Sequence, residues 1–220
     1  MKLSKETLDI LKNFANINQN IVIKEGKVLS TMSTSKDVLA EFEGEDDFDE
    51  KMSIFNLSEF LGVVLAFEDP ELILDKKFCV IKQGKHQVKY VYADESVLIS
   101  PKKSITMPNA EVNLHLTQDQ ISRLQKMSSV LSVEDLAIVG NGENVSVKVF
   151  DAKNPTANNY EIELDEKTTE TFQIDFKVEK LRLYPSDYDV EISSKKISCW
   201  KATGLKLKVF IAVEATSTFS

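Results

Sequence analysis

The sequence predicts an α+β protein of two tandem, similar domains, each an antiparallel sheet with helices gathered on one face. Three observations predict it. Leu3–Asn18, LSKETLDILKNFANIN, and Leu116–Leu131, LTQDQISRLQKMSSVL, are two versions of one stretch. Setting Leu3 on Leu116 places Ser4 on Thr117, Leu8 on Ile121 and Leu11 on Leu124, with apolar residues recurring at helical spacing in both. Each copy then runs into a strand, a short turn and a strand: IVIKEGKVLSTM after the first, LAIVGNGENVSVKVF after the second. Late in each half, LDKKFCVIK (74–82) matches SSKKISCWK (193–201), Lys-Lys on Lys-Lys.

The elements follow in order. Ser4 and Thr117 are hydroxyl residues suited to capping the first free amides of their helices. After the first helix, Ile21–Lys24 and Val28–Met32 flank Glu25-Gly26 and read as a hairpin, and Val38–Glu43 alternates as a third strand. Glu43–Glu50, EGEDDFDE, reads as a solvated acidic turn; its carboxylates lack the ligand order of a calcium loop. Asn56–Ala66 is a second helix, apolar on most sides and stopped by Asp69-Pro70. Leu72–Leu74, Phe78–Lys82 and Gln87–Tyr92 are short strands. Pro101, Lys102, Lys103 and Pro108 then fall in a stretch without periodicity, which divides the chain into residues 1–100, a connector 101–110 and residues 111–220.

The second half repeats the order. Glu111–Leu116 leads into the third helix, Leu136–Val139 pairs with Val145–Phe150 around Gly140-Asn141-Gly142, and Tyr160–Leu164 and Phe172–Phe176 are strands. Lys177–Leu183 reads as a short helix stopped before Pro185. Val190–Ile192, Ile197–Ala202 and Leu205–Val213 complete a sheet.

Composition narrows the class. At 220 residues, 42% hydrophobic and 28% charged, the chain is long enough for two ordinary folded domains. No apolar run approaches the roughly 20 residues that span a bilayer. The opening MKLSKETLDILKN carries charges where a secretion signal would be apolar, so no signal is expected. Two cysteines, Cys79 and Cys199, are too few for a disulfide scaffold and point to a reduced, cytosolic setting. The net charge of −8 is shared evenly between the halves and argues against a duplex-reading domain, while leaving room for a local basic surface.

Motifs for chemistry are missing. His86 and His115 are single residues on strands or turns, the glycines form no phosphate loop, and there is no CxxC or HxxxH spacing for a metal. The expectation is therefore no enzyme, no cofactor and no metal. Charge placement on the helices is what remains. Lys5 and Lys12 lie seven apart, away from the Leu8, Leu11 and Phe14 stripe; Arg123 and Lys126 lie off the Ile121, Leu124 and Met127 stripe; Lys177 and Lys180 are three apart. Ordinary solvated lysines are the competing reading, helped by Asp9 and Asp119 on the same helices. Repetition of the device on three of four helices in an acidic protein favours a functional one.

The opening MKLSKETLDILKNFANIN resembles the start of the sliding clamps of T-even-type bacteriophages, the processivity factors of DNA polymerase, and the closing VFIAVEATSTF resembles their end. More distantly, Met107-Pro108-Asn109-Ala110-Glu111 is similar to the connector of proliferating cell nuclear antigen. The resemblance covers essentially the whole chain. It implies the DNA clamp fold, a head-to-tail homotrimeric ring around duplex DNA, and a replicative polymerase tethered by its C-terminal peptide. It also implies an ATP-dependent clamp loader as partner and action in the cytoplasm of an infected bacterial host. It places Lys5, Lys12, Arg123, Lys126, Lys177 and Lys180 against DNA. The same resemblance assigns a partner-peptide pocket to Met32, Val38, Ile105, Met107, Pro108, Ile211 and Val213. Subunit contacts fall to Gln87, Val88, Tyr90 and Tyr92 on one edge and Val145, Val147 and Val149 on the other. The alternative is a non-ring structural or virion protein of two duplicated domains.

Overall fold

Ser4 opens the first helix of the computed structural model, which describes residues 1–219, by accepting the Thr7 amide at 3.1 Å. Helix α1 spans Lys5–Ile17 and buries Ile10, Leu11, Phe14 and Ile17. Leu8 is only half-buried, because Thr7 and Ile10 take the inward positions of its turn. Strands β1 (Ile21–Ile23), β2 (Gly26–Met32), β3 (Val38–Phe48) and β4 (Met52–Ile54) follow.

The hairpin expected between the first two strands does not form. β1 pairs with β4, Ile21 opposite Ile54, and β2 pairs with β3, Leu29 opposite Phe42. Gly26, at φ +104°, redirects the chain between them, a conformation glycine adopts without strain. The acidic run is likewise a correction, since Glu43 to Phe48 is the second half of β3 and only Asp49-Glu50 lies in the bend that follows. Its exposed acids alternate with inward positions that end on Phe48, 2% exposed. Asp46 accepts the Ser4 amide at 2.8 Å, and Glu43 pairs with Lys206 at 2.6 Å.

Asn56 caps helix α2 (Leu57–Leu65) by accepting the Glu59 amide. Strands β5 (Glu71–Leu74), β6 (Phe78–Gln83) and β7 (His86–Val91) form an antiparallel sheet in that order, with β7 at its edge. Tyr90 ties β7 to α2: its ring meets Phe60 edge-on at 5.2 Å, and its hydroxyl donates to the Asn56 carbonyl at 3.3 Å. One 3-10 turn, Glu95–Val97, precedes a stretch without helix or strand that lasts to Ala110.

The chain divides into two compact units, one of Met1–Ile105 with Leu205–Val209, the other of Thr106–Gly204 with the residues from Phe210 on. In the second, β8 (Val112–Leu116) leads into α3 (Gln118–Leu131). A reciprocal cap starts α3: Thr117 accepts the Gln120 amide, and the Gln120 side chain accepts the Thr117 amide. Then come β9 (Asp135–Asn141), β10 (Asn144–Phe150), β11 (Tyr160–Lys167) and β12 (Thr171–Lys177). β13 (Tyr188–Ser193), β14 (Ile197–Ala202), β15 (Leu207–Ala212) and β16 (Thr218–Phe219) complete the set. Five strands run in the order β11-β10-β9-β12-β16, and β13 pairs with both β8 and β14. The expected helix over 177–183 is a single 3-10 turn, Val178–Lys180. Lys177 is still paired with Asp135 on the last rung of β12 and β9, which leaves too few residues before Pro185 for a helix.

Trp200 is fully buried in this second unit. Phe176 and Tyr188 meet it edge-on at 6.0 and 6.3 Å, its indole N–H donates to Ser198 at 3.0 Å, and Ser198 donates to the Ile211 carbonyl at 2.9 Å. On β9, Gly140 lies under the cross-strand Phe172 ring, where a Cβ would come within 2.5 Å of it. In the first unit, a Cβ on Gly44 would come within 2.6 Å of the Phe42 ring, two residues earlier on β3. Cys79 and Cys199 are buried, and burial pushes the Cys79 thiol up to about 11. Neither thiol will react with an aromatic disulfide reagent at neutral pH until the chain unfolds. Titration before and after denaturant checks this, and rapid native reaction would contradict the burial.

Candidate nucleic-acid interface

Helices α1 and α3, the matching helices of the two units, turn cations outward. The Lys5 side chain is 92% exposed, Lys12 and Arg123 are largely exposed, and Lys126 is exposed without an ion pair among the described residues. Each of the other three sits beside an acid. Lys5 and Lys12 share Asp9, at 3.2 and 2.9 Å, and Arg123 reaches Asp119 at 3.0 Å. The lysine hydrogen bonds, Lys12's first and then Lys5's, hold the Asp9 carboxyl below the usual carboxylate range. At neutral pH this cluster therefore presents about one net positive charge rather than two. Removing that acid should free both lysines, so Asp9→Asn is expected to raise affinity for nonspecific duplex about two- to fivefold at low salt. A salt-dependent anisotropy titration measures this, and unchanged or weaker binding would refute it.

Lys177 and Lys180 do not join them. Lys177 donates to Asp135, whose side chain is 9% exposed and whose other oxygen accepts the Ala152 amide at 3.0 Å. That hydrogen bond raises the Lys177 pKa, because the charged lysine is the form the carboxylate binds. Lys180, 18% exposed, pairs with Glu214 at 2.7 Å. These two cations are bound within their own unit and are less exposed than the cations of α1 and α3. The exposed side of α2 carries Ser58, Glu59, Gly62, Leu65 and Ala66 and no cation.

A depression of about 860 Å³ opens in the first unit, lined by Lys24, Met32, Lys36, Leu98, Ile99 and Pro101 among others. The end of α1 holds its far wall. Asn18 donates to the Met32 carbonyl at 2.7 Å, Asn20 accepts the Ile99 amide at 3.0 Å, and Lys24 donates to the Pro101 carbonyl at 3.3 Å. Of the seven expected pocket residues only Met32 lines it. Val38 is 2% exposed in the core of the first unit, and Ile211 and Val213 are core residues of the second, at 0% and 7%, so none of the three has surface for a peptide. Ile105 is partly exposed, and Met107 and Pro108 are half-buried. Sequence reasoning missed Leu98, Ile99 and Pro101; their signal was a short apolar run just before Lys102-Lys103.

β7 ends the three-stranded sheet of the first unit, and β11 ends the five-stranded sheet of the second. Gln87 and Val88 are exposed on β7, and Tyr90 is half-buried. Tyr92 lies one residue past the strand with its hydroxyl enclosed. Val145, Val147 and Val149 do not form the second edge, because β10 is bonded to β9 on one side and β11 on the other, and all three valines are buried.

Two similar α+β units, each with a leading cation-bearing helix and a strand that ends a sheet, match the architecture of the DNA-clamp fold. Residues 113–215 match the family model described as gp45 sliding clamp, C terminal. The whole chain is similar to the sliding clamp of Vibrio phage KVP40, 29% identical over 98% of this chain and all of that one. It is also similar to the sliding clamp of Escherichia phage RB69, 26% identical over 99% of each. Among solved structures, the C-terminal region of FEN-1 bound to A. fulgidus PCNA matches with a TM-score of 0.68, covering 96% of both chains; at 11% identity that likeness concerns the fold. The chain thus resembles the sliding clamps of T4-like phages from end to end, and the resemblance read from its opening and closing residues holds along the full length.

Proposed function

We propose that this protein is a DNA sliding clamp, closing as a head-to-tail homotrimer around duplex DNA and tethering the replicative polymerase without chemistry of its own. The observation that carries it is the repetition of outward cations on α1 and α3, Lys5 and Lys12 in one unit and Arg123 and Lys126 in the other, within an acidic protein. Cations facing phosphates attract any duplex without reading it, and their partial neutralisation by Asp9 and Asp119 keeps the attraction weak enough for sliding. A ring held by topology needs no tighter grip. Closure uses two of the sheet-end strands: β7 of one copy adds to β11 of the next, so neither is left as an open edge.

The depression beside Met32, Leu98, Ile99 and Pro101 would receive a short apolar peptide from the polymerase C-terminus, and Met32 suits a surface that repacks around several partners. An ATP-driven loader would open the ring, and the site of action is the cytoplasm of the infected bacterial cell. Among the described residues no helix is long and apolar enough to cross a membrane. A non-ring structural protein of the same fold is not favoured, since the full-length relatives are named sliding clamps.

The test is retention after loading onto nicked circular DNA. The clamp should stay on the circle and run off once the circle is cut, and mass in solution should be three times that of the chain. Equal retention on circular and linear DNA would reject encirclement.

A further inference from the structure

The edge strands β7 and β11 carry opposite charge. From Asp75 to Val91 the chain holds Lys76, Lys77, Lys82, Lys85 and Lys89 against a single acid, Asp75. On β11, YEIELDEK, four acids stand against one lysine. Strand alternation sorts these charges by face. On β7, Val88 and Tyr90 sit opposite the fully buried Ile81 and Cys79 and so point inward, while Lys89 points outward over the Phe78 ring at 3.9 Å. On β11, Tyr160, Ile162 and the buried Leu164 point inward, while Glu161, Glu163 and Asp165 point outward. Glu161 is steadied by the Ser146 hydroxyl. Among the described residues none of Lys82, Lys85, Lys89, Glu163 or Asp165 has an ion-pair partner.

We infer that these charges form an electrostatic latch between copies of this chain: Lys89 and its neighbours meet Glu161, Glu163 and Asp165 of the next copy, and rising ionic strength opens the ring. The inference rests on the clamp reading above and adds what selects and releases the contact. The inward positions of both edges are apolar; outward, β7 carries Lys89 between Gln87 and the exposed Val91, and β11 carries Glu161, Glu163 and Asp165, so laying β7 beside β11 sets Lys89 against carboxylates. Pairing β7 with a second β7 would set Lys89 near Lys89, and pairing two β11 strands would stack carboxylates, so like-to-like dimers are disfavoured. The outward ladder lies on the exposed side of both sheets, where salt screens it within about 8–10 Å at physiological strength.

The test is light scattering from about 0.1 to 10 µM chain in 50 mM, 150 mM and 500 mM NaCl. The wild-type trimer is expected at 50 mM, with the concentration for half-dissociation at least about tenfold higher at 500 mM. Lys89→Glu and Glu163→Lys should each be monomeric in 50 mM salt with unchanged thermal unfolding, since both side chains are exposed in the single chain. The double variant carrying both changes should recover the trimer. A trimer indifferent to salt and to both reversals would overturn the latch and leave the ring standing. A wild-type monomer at every salt would overturn the ring and the latch together.

Discussion

Replacing Trp200 with alanine is expected to lower the stability of the second unit by about 3–5 kcal/mol, the largest loss at any single position. The indole is fully enclosed, braced by Phe176 and Tyr188, and its N–H takes part in a relay that runs through Ser198 to the Ile211 carbonyl. Truncation opens a cavity and leaves Ser198 without its donor. In a thermal scan the melting temperature should fall roughly 6–20 °C, on the scale of about 2–4 °C per kcal/mol for a chain of this size. Trp200→Phe keeps most of the volume and should lose less than half as much. A loss under about 1 kcal/mol for alanine would mean that the surrounding rings collapse into the gap, contrary to the close packing on which the estimate depends.

Reversing Lys12 and Lys126 to glutamate should reduce retention on nicked circular DNA at least about tenfold while leaving solution mass and unfolding unchanged. One residue lies on each matching helix and both are exposed, so a closed trimer would lose six positive charges and gain six negative ones. Lys177→Gln and Lys180→Gln make the control. Those lysines hold Asp135 and Glu214, so their loss should appear in stability and only weakly in DNA retention. Undiminished retention in the Lys12 and Lys126 double reversal would remove the two helices from the DNA path.

Periodicity made the fold legible. The duplication showed because Leu3–Asn18 and Leu116–Leu131 share both a capping hydroxyl and an apolar spacing, two signals that act within one turn of chain. Long-range partners left no such mark. Lys177 and Lys180 read as free surface cations because Asp135 and Glu214 lie far away in sequence, and spacing along a helix says nothing of them. The acidic run after Val38 read as a turn because its charges masked a strand anchored by Phe48. Alternation alone also could not separate β10 from β11, as both alternate. The mark that did distinguish them was composition: VSVKVF is poor in charge, as an interior strand is, whereas YEIELDE is crowded with carboxylates, as edges often are. For the pocket, the connector's prolines drew attention away from Leu98 and from Ile99, whose amide and carbonyl the asparagines after α1 hold in place.

The ring of Phe172 resting on Gly140 binds two positions on different strands into a single unit of variation. Any side chain at 140 demands a smaller residue at 172 in the same step, and a smaller residue at 172 alone leaves a hole above the glycine. Neither site can drift by itself, and Phe42 with Gly44 sets the same condition in the other unit. Libraries that vary these positions singly will score both as intolerant, whereas libraries that vary them in pairs should recover folded combinations.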